Sequence, residues 1–457
     1  MNHALMLVGW DVTGVKVTGN VQEATATYNS LLDACPKCGS VGRLYRHGVK
    51  TVEYRDAPAF GKQFVIICKV QRFRCRDCNE TSMQPLPDMD TRRRMTRRCV
   101  DYIEHQGSVR TYADIARTIG IDEKTVRNIC NEAFERAMAE RTITAPIIMG
   151  IDELTLLGRK RAIFVDHSNK RLLDLIDNMN RGKVERWLMR LPNRHVVHIV
   201  TIDMWGPYRE AVAATLPKAK VIVDKWHVVS KAGIALDKAR NRSRRNAGIR
   251  RNPHKGRRLL HTRLTNLSPM RRMALDGMLA NNPLIADAWR AKEGFYAIWD
   301  TKDRADAERL FDAWKVSIPP SVELEFRPVA SMVENWRAEI FAYFDYPITN
   351  AYTEAMNGLI KIANRAGRGY AFETIRAKAL LSEPYTGDLC QCRLCNGHFP
   401  KSNLMPMGYA TMSDHPKFLR TLTKESNPDP MVCRDCHFIF HTKMKSKALE
   451  IINSIPR

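Results

Sequence analysis

The stretch 146–155, Pro-Ile-Ile-Met-Gly-Ile-Asp-Glu-Leu-Thr, constrains this chain more than any other. It reads as a buried strand that runs straight into an acidic pair, Asp152-Glu153. The run 161–166 after Gly158 reads as the next strand of a hairpin. A second strand with the same ending follows at 198–203, where His-Ile-Val-Thr-Ile leads into Asp203. Two apolar strands that each deliver a carboxylate at their C-terminal end are the beginning of a two-metal site.

The surrounding pattern alternates strands and helices. Strands are expected at 147–152, 161–166, 171–177, 196–203 and 219–223, with helices at 180–190 and 206–215. Three antiparallel strands followed by βαβ units is the order of an RNase H-like α/β sheet. In that architecture two strand-end aspartates meet near the sheet centre, and Asp152 and Asp203 are the candidates. Pro207 suits the first turn of a helix, so Asp203 is expected at a strand-to-helix junction, open to solvent. The strand at 219–223 ends in Asp224, with Lys225 and His227 just beyond. The third carboxylate should come from a helix. In the segment 348–365, helical spacing puts Asn350, Glu354, Asn357 and Lys361 along one polar face, with Leu359 and Ile362 off it. A carboxylate flanked by amides and a lysine suits a metal site that also grips phosphate. Asp166, Asp174 and Asp177 read as solvated surface acids.

The chain has 457 residues, which argues for two to four domains. Lys and Arg number 73 against 49 Asp and Glu, a net charge of +24, and a charge that large favours a polyanionic partner, nucleic acid first. The front of the chain is too short and uncharged for a secretory signal, and no apolar run of about 18 residues predicts a membrane span. Twelve cysteines without such a signal point to metal ligands in a reducing, cytoplasmic setting.

Residues 1–30 are uninformative. Cys35-Pro-Lys-Cys38 and Cys75-Arg-Asp-Cys78 then form two C-x2-C knuckles, which together close a tetrahedral, structural Zn²⁺ site. Strand-like runs at 42–45 and 63–70 lie between them, the layout of a zinc ribbon with short strands. Cys68 reads as a buried thiol. A basic helix is expected from Thr91 to about His105. After it, the segment 108–134 has the pattern of a helix-turn-helix. Its first helix carries Ile115, Ala116 and Ile119 inward, Gly120 takes the turn, Asp122 caps, and Val126, Ile129 and Cys130 face inward on the second. Lys124, Thr125, Arg127 and Asn128 would face the DNA major groove.

The frames Gly150-Ile-Asp152-Glu, Thr201-Ile-Asp203-Met-Trp-Gly-Pro-Tyr and Val223-Asp224-Lys-Trp-His227 stand beside a fourth. That one runs through Asn350, Glu354, Asn357, Lys361, Arg365 and Arg368-Gly-Tyr370. Together they resemble the ISL3 family of bacterial insertion-sequence transposases, over roughly residues 30–381. The resemblance implies Asp152, Asp203 and Glu354 as a DDE catalytic triad holding Mg²⁺ or Mn²⁺. It gives supporting roles to Asp224, His227, Asn357 and Arg365. Double-stranded DNA, as element ends and target, is the implied partner, acted on by a homodimer at the nucleoid. Two divalent ions about 3.5–4 Å apart would suit in-line attack on a phosphodiester by water or a 3′-hydroxyl.

The expected organisation is therefore a zinc-ribbon module at 1–90 and a helix-turn-helix domain at 91–141. The catalytic core falls in two parts, 142–228 and 341–383, separated by a helical insertion at 229–340. Trp289, Trp299, Trp314 and Trp336 are packing candidates in that insertion. Its part from Lys238 to Arg272, with Arg240, Arg242, Arg250, Arg251, Lys255 and Arg257, is very basic and suits DNA-backbone contact. The tail at 384–457 carries Cys392, Cys395, Cys433 and Cys436 as a second Zn²⁺ set, with Cys390 spare. His415, Asn427 and His437, with His441 as a second candidate, resemble the order of an HNH endonuclease. Two other readings stay open at this point: a sequence-specific DNA-binding protein with an inactive core, and a nuclease acting through the tail.

Overall fold

The computed structural model describes residues 7–246, 248 and 256–382, and the backbone of four short strands between 389 and 433. The chain forms two compact units, Met1–Arg141 with Ile362–Glu383, and Thr142–Lys361 with Pro384–Arg457.

The first unit holds a sheet built from β1 (Trp10–Thr18), β2 (Val21–Tyr28), β3 (Leu44–Ala59), β4 (Lys62–Cys75), β5 (Thr81–Met83), β6 (Met89–Asp90) and β7 (Met95–Thr96). Its order is β1-β2-β4-β3-β7-β6, with β5 on β4. Residues 1–30, silent in the sequence, thus supply two strands. Their burial rests on Ala24, Ala26 and Trp10, whose indole donates to Asp88, while most of β1 faces solvent. Small alanines carry little hydrophobic signal, which hid the alternation. The strands between the cysteine knuckles are long rather than short. β3 and β4 make one hairpin that turns at Phe60-Gly61, both with positive φ, and returns with Leu44 opposite Cys75. The 36-residue gap between the knuckles is this hairpin, so its length does not separate them.

The basic helix starts later than expected. α1 spans Arg97–Gly107, because Thr96 caps it by accepting from the Cys99 N–H. Arg93 is spent before the helix on Asp90. α2 (Tyr112–Ile119) and α3 (Glu123–Glu140) follow, joined through Gly120 at φ 83° and capped by Asp122. The six residues expected to face inward are all buried. Segment 362–383, expected in the catalytic core, clusters with this unit. The reason is local. The buried Lys378 ammonium donates to the carbonyls of Gly107 and Arg110, and the Tyr370 hydroxyl accepts from the Tyr112 N–H at 2.9 Å.

The second unit is built on a five-stranded sheet of β8 (Ile148–Leu156), β9 (Arg159–Asp166), β10 (Arg171–Ile176), β11 (Ile199–Ile202) and β12 (Lys220–Val223). The order is β10-β9-β8-β11-β12, with β8, β9 and β10 antiparallel and β11 parallel to both β8 and β12. α4 (Arg181–Arg190) and α5 (Gly206–Thr215) connect β10 to β11 and β11 to β12. Asp152 is not a strand-end residue: β8 continues to Leu156 because β9 keeps pairing with it down to Arg159. Only the parallel partner stops, at Ile151.

After β12 come α6 (Lys225–Asn246), α7 (Arg257–His261), α8 (Pro269–Ala280), α9 (Pro283–Ala297), α10 (Arg304–Ser317), α11 (Glu323–Asn335), α12 (Arg337–Asp345) and α13 (Ala351–Gly367). The unit boundary at 361/362 falls inside α13, and α14 (Phe372–Leu381) belongs to the first unit. The helical insertion shares one apolar core with the sheet, running from Met149, Phe164 and Val200 to all four of its expected tryptophans. No helix among the described residues is long and apolar enough to cross a membrane.

Three expectations about charge are corrected. Asp166 and Asp174 are buried, not solvated. Asp166 accepts from the backbone of Ser168 and Asn169 and from Arg171, closing the β9–β10 turn, and Asp174 accepts from the Trp187 indole at 2.7 Å. Asp177 alone is exposed, paired with Lys183. Part of the basic stretch is internal wiring: Arg240 and Arg257 pair with Asp237, and Arg242 with the buried Glu325. Arg250, Arg251 and Lys255 lie outside the described residues, as do the tail side chains of Cys390, Cys392, Cys395, His415, Asn427, Cys433, Cys436, His437 and His441.

Candidate active site

Strand register brings the acids together. Ile202 pairs with Ile151 on one side and Val223 on the other. The next residue on each of these three parallel strands is an aspartate: Asp152, Asp203 and Asp224. They stand in a row across β8, β11 and β12 at the edge where the chain leaves the parallel pairing. Asp203 is half-buried rather than open, and Asp152 and Asp224 are buried.

Two helices complete the cluster. His227, in the first turn of α6, places its Nε2 3.0 Å from Asp203 Oδ1. Glu354, in the first turn of α13, meets Asp224 and His227, with ligand atoms of the three within 4.8 Å of one another. Its carboxylate therefore sits on the Asp224 side of the row. One turn on, Asn357 Nδ2 donates to Asp152 Oδ2 at 2.8 Å. The Glu153 N–H covers Asp152 Oδ1, and the Tyr208 hydroxyl donates to the Asp152 carbonyl. The helical face expected to be polar faces inward at Asn350 and Asn357, while Glu354 and Lys361 are exposed. Arg365 is exposed on the part of α13 that clusters with the other unit.

The electrostatics follow from crowding. Burial, the neighbouring Asp203 charge and a hydrogen bond with Asp203 push Asp152 up to about 7. Burial also raises Asp224. The hydrogen bond and charge of Asp203, outweighing burial, raise His227. Carboxylates packed this closely repel one another unless protonated or bridged by a cation. Oxygen donors with one imidazole, open on one side, fit a divalent metal ion.

Sequence reading missed a buried group behind this row. His167 Nε2 lies 2.7 Å from Thr201 Oγ1, and that hydroxyl donates to Asn350 Oδ1 at 2.7 Å. The available signal was a hydroxyl residue in the middle of an otherwise apolar strand.

In the first unit, the four knuckle cysteines converge. Cys35 Sγ is 3.7 Å from Cys78 Sγ, and Cys38 Sγ is 3.7 Å from Cys75 Sγ. Four sulfurs about 2.3 Å from a central ion have tetrahedral edges of about 3.8 Å, so the set fits zinc. Cys68 stays apart in β4, its thiol pushed up to about 12 by burial. On α3, Lys124, Arg127 and Asn128 are exposed. Thr125 is partly spent on the cap, its hydroxyl donating to Asp122, and Arg127 pairs with Glu123.

An acid row closed by a helix-borne glutamate, on a chain with a zinc ribbon, is the mark of a DDE-type transposase. Residues 149–379 match the ISL3 class of DDE transposases, and residues 32–78 match the zinc-finger of transposases IS204/IS1001/IS1096/IS1165. The chain belongs to the ISL3 transposase family. It is similar to the transposase for insertion sequence element IS1001 of Bordetella parapertussis, 24% identical over 347 residues, covering 74% of this chain and 85% of that relative.

Proposed function

We propose that this transposase binds the ends of its own element and cuts and joins DNA at the acid row, with Asp152, Asp203 and Glu354 as the catalytic carboxylates. The observation that carries the reading is the register: the parallel pairing of three strands ends one residue before an aspartate on each, and α13 brings Glu354 to the Asp224 side of that row. The strand order supports an RNase H-like core. Asp224, His227, Asn357 and Arg365 act in support.

Each residue has a definable task. Asp152, Asp203, Asp224 and Glu354 supply the oxygen donors for Mg²⁺ or Mn²⁺. When bound, such ions activate the attacking hydroxyl and stabilise the leaving oxygen of a phosphodiester. Asn357 and the Glu153 N–H hold the two Asp152 oxygens in place. His227 orients Asp203 through its Nε2. Without a cation, Asp152 retains a proton near neutrality, which relieves its repulsion with Asp203. Zn²⁺ at Cys35, Cys38, Cys75 and Cys78 folds the ribbon, and Lys124, Thr125, Arg127 and Asn128 read duplex DNA. Joining two element ends calls for a homodimer, working on the nucleoid in the cytoplasm.

The test is Mg²⁺-dependent cleavage of a labelled DNA carrying the element's own ends, wild type against Asp203→Ala. Loss of cleavage in the variant, with end binding intact, is the expected result. Retained cleavage would move the chemistry to the tail at His415 and His437. Absent cleavage in both would favour a DNA-binding role for the chain.

A further inference from the structure

The carboxylates of the row come from β8, β11 and β12, but Glu354 arrives on a helix 130 residues beyond Asp224, and something must hold that helix in register. The buried group behind the row does this. Thr201 lies on β11 two residues before Asp203, and its hydroxyl donates to Asn350 Oδ1 at 2.7 Å. Asn350 immediately precedes α13, and its carbonyl accepts the Glu354 N–H at 2.9 Å. Thr201 and Asn350 are each 1% exposed. From the other side, His167 Nε2 reaches Thr201 Oγ1 at 2.7 Å, while the His167 backbone N–H donates to the Ile148 carbonyl on β8.

With Asn350 Oδ1 as the acceptor, Thr201 spends its one hydroxyl proton on Asn350, so the imidazole donates and Thr201 accepts. Gly150 makes room for this. A Cβ at that position would lie 2.4 Å from His167 Nε2 and 2.6 Å from a Val165 methyl carbon. The glycine is there because the imidazole passes against the strand.

We infer that His167, Thr201 and Asn350 form a positioning chain that locks the first turn of α13 to β11, and so sets the divalent-cation affinity of the acid row through the placement of Glu354. The inference rests on the reading of Glu354 as a carboxylate of the metal site. These three residues need not touch the ion or DNA; they act through Glu354, as partners behind metal ligands do elsewhere.

The experiment is Mn²⁺ titration of the zinc-loaded full chain, followed by electron paramagnetic resonance of free Mn²⁺, with melting of each metal-free variant as a control. Thr201→Val keeps shape and strand preference but removes the hydroxyl; it should weaken Mn²⁺ binding about 10- to 100-fold with little change in metal-free melting. Thr201→Ser, which restores the hydroxyl, should bind as wild type. Asn350→Ala breaks the chain from the helix side and carries the test if the strand variant does not fold. Wild-type Mn²⁺ affinity in Thr201→Val and Asn350→Ala, with affinity lost in Glu354→Gln, would overturn the positioning role and leave the metal site standing. Wild-type affinity in Glu354→Gln would overturn the reading of the site itself, and the inference with it.

Discussion

Asn357 Nδ2 donates to Asp152 Oδ2 at 2.8 Å across 205 residues of sequence, and both side chains are buried. This bond ties α13 to the central strand of the sheet from inside the acid cluster. It also leaves Asp152 with a fixed orientation before any cation arrives.

Removing the donor should therefore cost both fold and chemistry. Asn357→Ala leaves a buried acceptor oxygen without its partner, a loss of about 1–3 kcal/mol in denaturant unfolding of the metal-free protein. DNA cleavage should fall as well, because Asp152 is freed to rotate. Unchanged unfolding and unchanged cleavage would show that the bond has no such role.

Asp203→Asn should separate binding from chemistry. The amide keeps size and polarity but loses the charge that pairs with His227 and would face the cation. Cation stabilisation is worth several kcal/mol, so cleavage should drop at least about 100-fold. A gel-shift with element ends, run beside the cleavage assay, should show binding near wild type.

The ribbon should depend on its ion. Cys75 is fully buried at the end of β4, and Cys75→Ala removes one of four converging sulfurs. The variant is expected to lose bound zinc by elemental analysis and to melt its first unit at lower temperature, since zinc-site formation is part of folding free energy. Full zinc content in the variant would contradict this.

On α3, Lys124→Ala and Asn128→Ala should fail differently. Loss of a phosphate contact weakens binding to all sequences and lowers the salt slope by about 1. Loss of a base contact costs about 1–3 kcal/mol at one position of the site. Lys124 is assigned the first and Asn128 the second. Binding measured across a salt series on native and altered ends distinguishes them.

His167 predicts a pH dependence. Burial holds its imidazole down at about 4, below the ordinary value of 6.5. The folded chain thus keeps it neutral where the unfolded chain protonates it. Its contribution is fully present above about pH 6.5 and is lost as pH falls towards 4, a swing of about 2–3 kcal/mol. Wild-type stability minus that of His167→Gln, measured from pH 7 down to 4.5, should fall steadily. A flat difference would contradict it. The neighbouring Asp152 works in the opposite sense, so only the difference between the two proteins reports His167.

Much of this was legible in the residues. The knuckles Cys35/Cys38 and Cys75/Cys78, the Gly120 turn and the Asp122 cap are local signals, and local signals survive in a linear reading. Asp166 and Asp174 were misread because an acidic residue near a strand end looks the same whether water or Arg171 and Trp187 satisfy it. β1 and β2 were invisible because alanines at 24 and 26 bury little apolar surface.

By itself the sequence singled out the candidates for the chemistry: the aspartates that follow apolar runs at Asp152, Asp203 and Asp224, and the helical spacing of Asn350, Glu354 and Asn357. Those are short-range periodicities, fixed by strand pleat and helical turn. Only the tertiary structure decided who meets whom. Glu354 joins Asp224 and His227, Asn357 holds Asp152, and His167 reaches Asn350 through Thr201. Those contacts follow from strand register and from where a distant helix docks, and both are set by burial of a core shared across the whole unit, which no local window of sequence contains.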